Sequence, residues 1–253
     1  HVDFENLHLG EDTGAVCVSR PTNPSGNVLS DDELGRLRAA AKVQGVPLIV
    51  DNAYGQPFPG AVFTDASPPD WDEDLVMVFS LSKIGLPGLR TGIVVANEEI
   101  VSRIASMTAV IGLANNNIGQ AVAGPLLASG ELLELSRNVV RPFYEQKSQL
   151  ARELLAQKFG DAFPYRVHVS EGAFFLWLWM PELPITSREL YERLKRRTVL
   201  VVPGEYFFYG IDQQVDRPHS EQCIRQTFSQ SEQTISEGLE EIYKELLQLH
   251  PSG

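Results

Sequence analysis

The chain has 253 residues, 43% of them in the hydrophobic set and 9% aromatic, which supplies apolar material for more than one core and excludes a disordered chain. Its 33 acidic residues against 21 basic ones leave a net charge of −12, a balance that argues against nucleic acid or an anionic membrane surface as the main partner. No apolar run approaches the ~18 residues of a membrane span, and two cysteines far apart in sequence fit neither a zinc site nor a disulfide framework.

Residues 1–10 (HVDFENLHLG) hold no basic region followed by an apolar one, so no signal peptide is expected there. Residues 14–19 (GAVCVS) read as a buried strand. Residues 23–27 (NPSGN) are a turn by composition, and the sequence leaves the isomer of the Asn23–Pro24 bond open. Ser30 followed by Glu33 is a capping box. It opens a helix with Leu34, Leu37 and Ala41 on one stripe, ended by Gly45 and Pro47. Residues 47–51 (PLIVD) give a second strand, continuously apolar up to Asp51, of the kind found in parallel sheets covered on both faces. A loop rich in Pro, Gly and Asp (residues 55–74) leads to a third strand, LVMVF (75–79), and then a fourth, GIVVA (92–96).

Residues 98–159 are mainly helical, with a break or kink expected at Pro142. In RVHVSEGAFFLWLWM (166–180) two strand-like runs flank Glu171 and Gly172. A helix over 186–197, strands over 198–204 and 222–229, and a last helix with Ile235, Leu239, Ile242, Leu246 and Leu249 on one stripe complete the chain. The order predicts an α/β fold, a mostly parallel sheet flanked by helices over residues 1–145, followed by a small C-terminal α+β domain over 146–253. Cys17 and Cys223 read as buried free thiols of a reducing compartment, which makes the cytoplasm the expected location.

Three polar clusters fall at carboxyl ends of predicted strands, where open α/β sheets bind ligands. These are Asn23, the run from Asp51 to Tyr54, and the run from Ser80 to Arg90. A lone lysine after a strand is ordinarily a solvated cation. Lys83, however, has Ser80, Ser82 and Arg90 around the same turn, and arginine suits bidentate phosphate recognition. A lysine held near a carbonyl forms a Schiff base with an aldehyde. A phosphate-bearing aldehyde cofactor needs this set of groups. Asp51 is a helix cap or loop hydrogen-bonder in the plain reading. Beside such a lysine it has a use against a pyridine nitrogen, keeping the ring an electron sink. Tyr54 has a hydroxyl for a ring oxygen, or simply packs on the sheet edge. Arg225, in CIRQTFS, is an edge-strand charge or a clamp on a substrate carboxylate. His168 and His219 are isolated and no serine has a nucleophile-elbow context, so no metal site and no hydrolase are expected.

NPSG from Asn23, DNAY from Asp51, SLSK ending at Lys83, GLR ending at Arg90 and the late CIRQTFS occur in one order. Asn23 and Asp51 are 28 residues apart, Asp51 and Lys83 32. Together they resemble the fold type I aminotransferases that use pyridoxal 5′-phosphate (PLP), over essentially the whole chain. The resemblance implies that Lys83 anchors PLP and moves the substrate proton, and that Asp51 pairs with the pyridine nitrogen. It gives Asn23 and Tyr54 to the ring oxygen, Ser80, Arg90 and more weakly Ser82 to the phosphate, and Arg225 to the substrate carboxylate. SRPTNPSGNVL, DNAYGQPFPG, EGAFFLWLW and LPIT are similar to the branch that moves an amino group between valine or alanine and a 2-oxo acid. Its partners are then small amino acids and 2-oxo acids, without nucleic acid or membrane, in a homodimer when full length. Residues 201–210 (VVPGEYFFYG), with Tyr206, Phe207 and Phe208, are expected to wall the site for an apolar side chain.

Family members are longer, so the chain is expected to be a C-terminal piece. It would lack the N-terminal part of the large domain, with its glycine-bearing phosphate loop, ring-stacking aromatic and dimer-crossing tyrosine. Another transaminase or a C–S β-lyase would keep the same lysine, aspartate and arginine. The effector domain of a PLP-sensing transcription regulator reuses the fold. A non-catalytic piece serving only in assembly is the remaining alternative.

Overall fold

The computed structural model describes residues 1–209 and 218–249. The chain divides into two compact units, the first made of residues 1–23, 27–143 and 171–173, the second of the remainder.

In the first unit, strands β1 (Val16–Ser19), β2 (Leu48–Asp51), β3 (Leu75–Ser80) and β4 (Gly92–Val95) form one sheet in that order. β1, β2 and β3 run parallel and β4 returns antiparallel to β3. Helix α1 (Asp31–Gln44) crosses from β1 to β2. Its start is the predicted capping box: Glu33 N–H donates to Ser30 Oγ at 3.1 Å, and Ser30 N–H donates to Glu33 Oε2 at 2.8 Å. Such a cap stabilises a helix by about 1 kcal/mol. Gly45 ends it at φ 72°, a left-handed conformation glycine adopts without penalty. Leu34, Leu37 and Ala41 pack with Val16, Leu48, Val50, Leu75, Met77 and Phe79 in a single core.

The side chains of a strand alternate between faces. Val16 is buried and Cys17 beside it exposed, and Val94 of β4 is exposed too. The sheet is therefore packed on one face and only partly covered on the other, which corrects two expectations. The second face is covered at β3, where Val76 is buried, but open at β1, so Cys17 is not a buried thiol. Helix α2 (Glu98–Gly112), which follows β4, contributes no buried residue.

Helices α3 (Asn117–Ala128) and α4 (Glu131–Leu135) follow. A π turn (Ser136–Val140) then runs directly into α5 (Arg141–Phe159). No break occurs at Pro142. A proline in a helix lacks an N–H and collides with the carbonyl one turn back. The wide turn just before it accommodates that conflict, so a break becomes a local widening.

In the second unit, β5 (Arg166–Val167), β6 (Phe175–Trp179), β7 (Val202–Pro203) and β8 (Cys223–Thr227) form an antiparallel sheet in the order β5-β6-β8-β7. The strand expected over 198–204 shrinks to Val202–Pro203, with Thr198 turning the chain ahead of it at φ 63° and a 3₁₀ turn starting at Gly204. Helix α6 (Ser187–Arg196) is capped by Thr186, helix α7 covers Pro218–Gln222, and α8 (Glu232–Leu249) buries Ile235, Leu239, Ile242 and Leu246. Buried Glu245 of α8 is paired with Arg197 at 2.8 Å and Arg193 at 3.4 Å. Cys223 is buried, and desolvation pushes its thiol up to about 12. Among the described residues no helix is long and apolar enough to cross a membrane.

Candidate active site

Three parallel strands bring their carboxyl ends to one edge of the first sheet. Ser19 of β1, Asp51 of β2 and Val78 of β3 lie side by side there, with Ser80 two residues further on. Asp51 is the last residue of β2, and its exposed carboxylate accepts from Ala53 N–H at 3.0 Å. The turn after it is built around buried Asn52. Its backbone N–H donates to Val78 C=O at 2.8 Å and its side-chain amide donates to Gln56 C=O. A Cβ on Gly55 would overlap the Asn52 side chain and the Arg20 carbonyl, so glycine is required where this turn closes. That closure sets Tyr54 on the edge.

After β3, Ser80 caps a short 3₁₀ turn (Leu81–Ile84): Ser82 N–H donates to Ser80 Oγ at 3.2 Å. Buried Leu81 anchors the turn and Gly85 ends it at φ 107°. The turn presents half-buried Lys83, whose Nζ stands 5.2 Å from the centroid of the Tyr54 ring. A cation over an aromatic face is worth about 0.5–1 kcal/mol. Among the described residues no carboxylate pairs with Lys83.

A second 3₁₀ turn (Pro87–Leu89) delivers Arg90, which holds φ 45° and ψ 46°. For a side chain with a Cβ the left-handed region costs about 1–2 kcal/mol, so surrounding contacts must impose it. The guanidinium donates to Ser82 Oγ and to Pro87 C=O, each at 3.3 Å. Thr91, next in sequence, accepts Leu81 N–H at its carbonyl (3.2 Å) and donates its hydroxyl to Leu89 C=O at 3.0 Å. Helix α3 reaches Thr91 only because residue 119 is glycine; a Cβ there would overlap Thr91 Oγ1. The serine that meets Arg90 is Ser82, while Ser80 Oγ serves as the cap.

Asn23 is exposed in the loop leaving β1, and Thr22 N–H closes that loop on Asn27 C=O at 2.8 Å. The Asn23–Pro24 bond is trans. The sequence reading passed over the group that fastens this loop. Arg20, only 3% exposed, donates to Leu29 C=O at 2.6 Å, Ser67 C=O at 2.8 Å and Asp31 Oδ1 at 2.5 Å. The Arg20 hydrogen bond holds the Asp31 carboxyl below its ordinary range. Glu171 and Gly172 stand between the two strand-like runs of residues 166–180. They belong to the first unit: Glu171 accepts Val28 N–H at 2.8 Å and Phe63 N–H at 2.7 Å, and Gly172 bridges Val62. A Cβ on Gly172 would come within 2.6 Å of the Ala61 carbonyl, a close approach that only glycine permits.

Arg225 lies in the second unit. Its strand β8 is interior to the sheet order, which excludes the edge-strand reading. The guanidinium stands 4.8 Å from the Phe175 ring centroid and 5.1 Å from that of Phe207. Tyr206 of the 201–210 segment is exposed, and Gly210 lies outside the described residues. Among the described residues no group of three or more His, Cys, Asp or Glu side chains could hold a metal ion.

A cavity of about 690 Å³ lies wholly within the second unit, against α8, Gln226 and the segment 198–201, and it contains none of the predicted site residues. Its cations are spent on neighbouring acids: Lys158 on Glu240 at 2.6 Å, Arg197 on Glu241 at 3.0 Å and Lys244 on Glu241 at 2.8 Å. Volume alone does not locate chemistry. The sheet edge of the first unit instead gathers an amine, a carboxylate, a phenol, two serine hydroxyls and a guanidinium that has no carboxylate partner among the described residues. That donor set fits a phosphorylated pyridine aldehyde: a cation and hydroxyls for phosphate, a carboxylate for a ring N–H, an amine for the aldehyde carbon.

A sequence profile described as aminotransferase class I and II matches residues 1–242. The chain is 46% identical over 246 residues to a valine–pyruvate aminotransferase from Escherichia coli, covering 97% of this chain and 58% of that protein. The crystal structure of a valine-pyruvate aminotransferase from Salmonella typhimurium superposes with a TM-score of 0.93 at 43% identity, over all of this chain and 64% of the other. A helix-turn-helix transcriptional regulator from Bacillus subtilis is 29% identical, over 75% of this chain and 38% of its own length. The chain thus spans less than two thirds of the length of each of these relatives.

Proposed function

The chain belongs to the aminotransferase class I and II family, and from that membership we propose that it is the lysine-bearing part of a transaminase that uses PLP to move an amino group between valine or alanine and a 2-oxo acid. The observation that carries the reading is the shared edge on which Asp51, Tyr54, Lys83 and Arg90 stand, with Lys83 Nζ 5.2 Å from the Tyr54 ring. The likeness to valine–pyruvate aminotransferases supports the choice of substrates.

When bound, PLP supplies a protonated pyridine ring that withdraws electrons from the substrate Cα. Lys83 would hold it covalently between turnovers, and once the substrate amine had displaced it from the aldehyde carbon, the freed Nζ would be the base that takes the proton from the substrate Cα. The Asp51 carboxylate keeps the pyridine nitrogen protonated. Asn23 and Tyr54 donate to the ring oxygen, and Arg90 with Ser82 and Ser80 holds the phosphate. Arg225 binds the substrate α-carboxylate. One site serving both substrates in turn gives ping-pong kinetics. We assign residues 1–145, together with the 171–173 segment, to the PLP-binding domain and the rest of 146–253 to the small domain, and the whole protein to a homodimer.

Product analysis of the full-length protein with valine and pyruvate tests the reading. Alanine and 3-methyl-2-oxobutanoate are expected in equal amounts. Ammonia release without alanine would point to a lyase and sink it. PLP binding without any amino-acid turnover would favour a regulator.

A further inference from the structure

We propose that Phe207 is a positioning residue that holds the Arg225 guanidinium ready for the substrate carboxylate; the inference rests on the role given to Arg225 above. Arg225 faces Trp177 across the β6–β8 ladder and Val202 across the β7–β8 ladder. Phe175, two residues before Trp177, projects from the same face of β6 and reaches the arginine diagonally, at 4.8 Å. Phe207 comes from elsewhere, at the end of a 3₁₀ turn (Gly204–Phe207), and stands 5.1 Å from the same guanidinium. Trp177 meets Phe207 edge-on at 5.5 Å and 90°, which blocks the ring from swinging away.

The turn that carries Phe207 is itself fixed. Gly204 N–H donates to Ser187 Oγ at 3.2 Å, and Ser187 Oγ donates to Ser220 C=O at 3.2 Å. A Cβ on Gly204 would come within 2.7 Å of the Ser220 carbonyl and 2.8 Å of the Cys223 carbonyl, so the chain passes there only as glycine. Glu205 is ion-paired with Arg188, which also lies 5.1 Å from the Tyr206 ring centroid. The start of α6 thus pins the turn, the turn places Phe207, and Phe207 with Phe175 fixes the arginine. Contact with the two rings orders the guanidinium, the group suited to bidentate recognition of a carboxylate. A long side chain ordered in advance loses less freedom on binding.

The test compares valine with valinamide, which keeps the amine and the Cα proton but lacks the carboxylate, in the full-length holoenzyme. Phe207→Leu is expected to raise KM for valine roughly five- to tenfold, with kcat within about twofold. Valinamide turnover should fall by less than valine turnover, and the cofactor absorbance should stay unchanged. Phe207→Tyr should restore wild-type values, and Arg188→Gln should shift the valine KM in the same direction by less. Equal losses on valine and valinamide, or no change on either, would overturn the inference. If Arg225→Lys weakens valine and Phe207→Leu does not, this inference alone fails. If Arg225→Lys leaves the preference for valine intact, the role of Arg225 fails and takes the inference with it.

Discussion

The two units hold their candidate groups by opposite means. In the first, Asp51, Lys83 and Arg90 stand on turns beyond strand ends, and backbone geometry fixes them: an Asx hydrogen bond, a serine-capped 3₁₀ turn and a left-handed arginine at φ 45°. In the second, Arg225 sits inside a strand and side-chain packing between Phe175 and Phe207 fixes it. Turns at strand ends let residues distant in sequence converge, at the cost of local strain. A strand position gives rigidity and relies on neighbours to aim the side chain. The first unit should therefore be sensitive to glycines and buried anchors, the second to aromatic packing.

Arg20→Met is the most severe way to break the first arrangement. It leaves the Leu29 and Ser67 carbonyls and Asp31 without their donor, and should cost about 2–4 kcal/mol in denaturant unfolding. It should also flatten part of the acid limb. The Asp31 pKa is lowered in the fold, so its stabilisation is complete above the ordinary carboxylate range and is lost as pH falls through the folded value. Wild-type stability should show that decline and the variant should not. Gly119→Ala comes next. Overpacking α3 against Thr91 should cost about 1–3 kcal/mol and weaken PLP binding through displacement of Arg90, read by cofactor titration. Ser30→Ala removes a helix cap remote from both arrangements and should cost about 1 kcal/mol with PLP affinity unchanged.

The smallest effect probes the edge of the first sheet. Exposed Cys17 should react with a thiol reagent in the native chain while buried Cys223, with its thiol raised to about 12, should not. Burial and then the Asp51 charge raise the Cys17 thiol. Asp51→Asn should therefore speed its labelling at fixed pH, because the thiolate is the reactive form. An unchanged rate would show that the charge is not felt there.

Much of this was legible in the sequence because the signals are local. The capping box at Ser30 and Glu33, the stripe of α8, and the polar residues directly after each apolar run all depend on neighbours in sequence. What stayed hidden depends on partners far away. Arg20 looks like a surface charge until Leu29, Ser67 and Asp31 surround it. Glu171 and Gly172 look like a turn of the second domain, yet Val28, Phe63 and Ala61 claim them for the first unit. Gly119 is one small residue in an apolar helix, and only the approach of Thr91 gives it meaning. Cys17 was misread because an apolar run does not say how many faces of a sheet are covered. The apparent edge charge of Arg225 became an interior position once the strand order was known.

The central claim is that Lys83 is the covalent anchor and the base. Borohydride reduction of the full-length holoenzyme, followed by peptide mass mapping and a turnover assay with valine and pyruvate, tests it most directly. The expected result is a pyridoxyl mass on the peptide carrying Lys83. Lys83→Ala should lose both that mass and alanine formation, the latter by roughly 10²–10⁴-fold. A pyridoxyl mass on another lysine, or full turnover in Lys83→Ala, would contradict it.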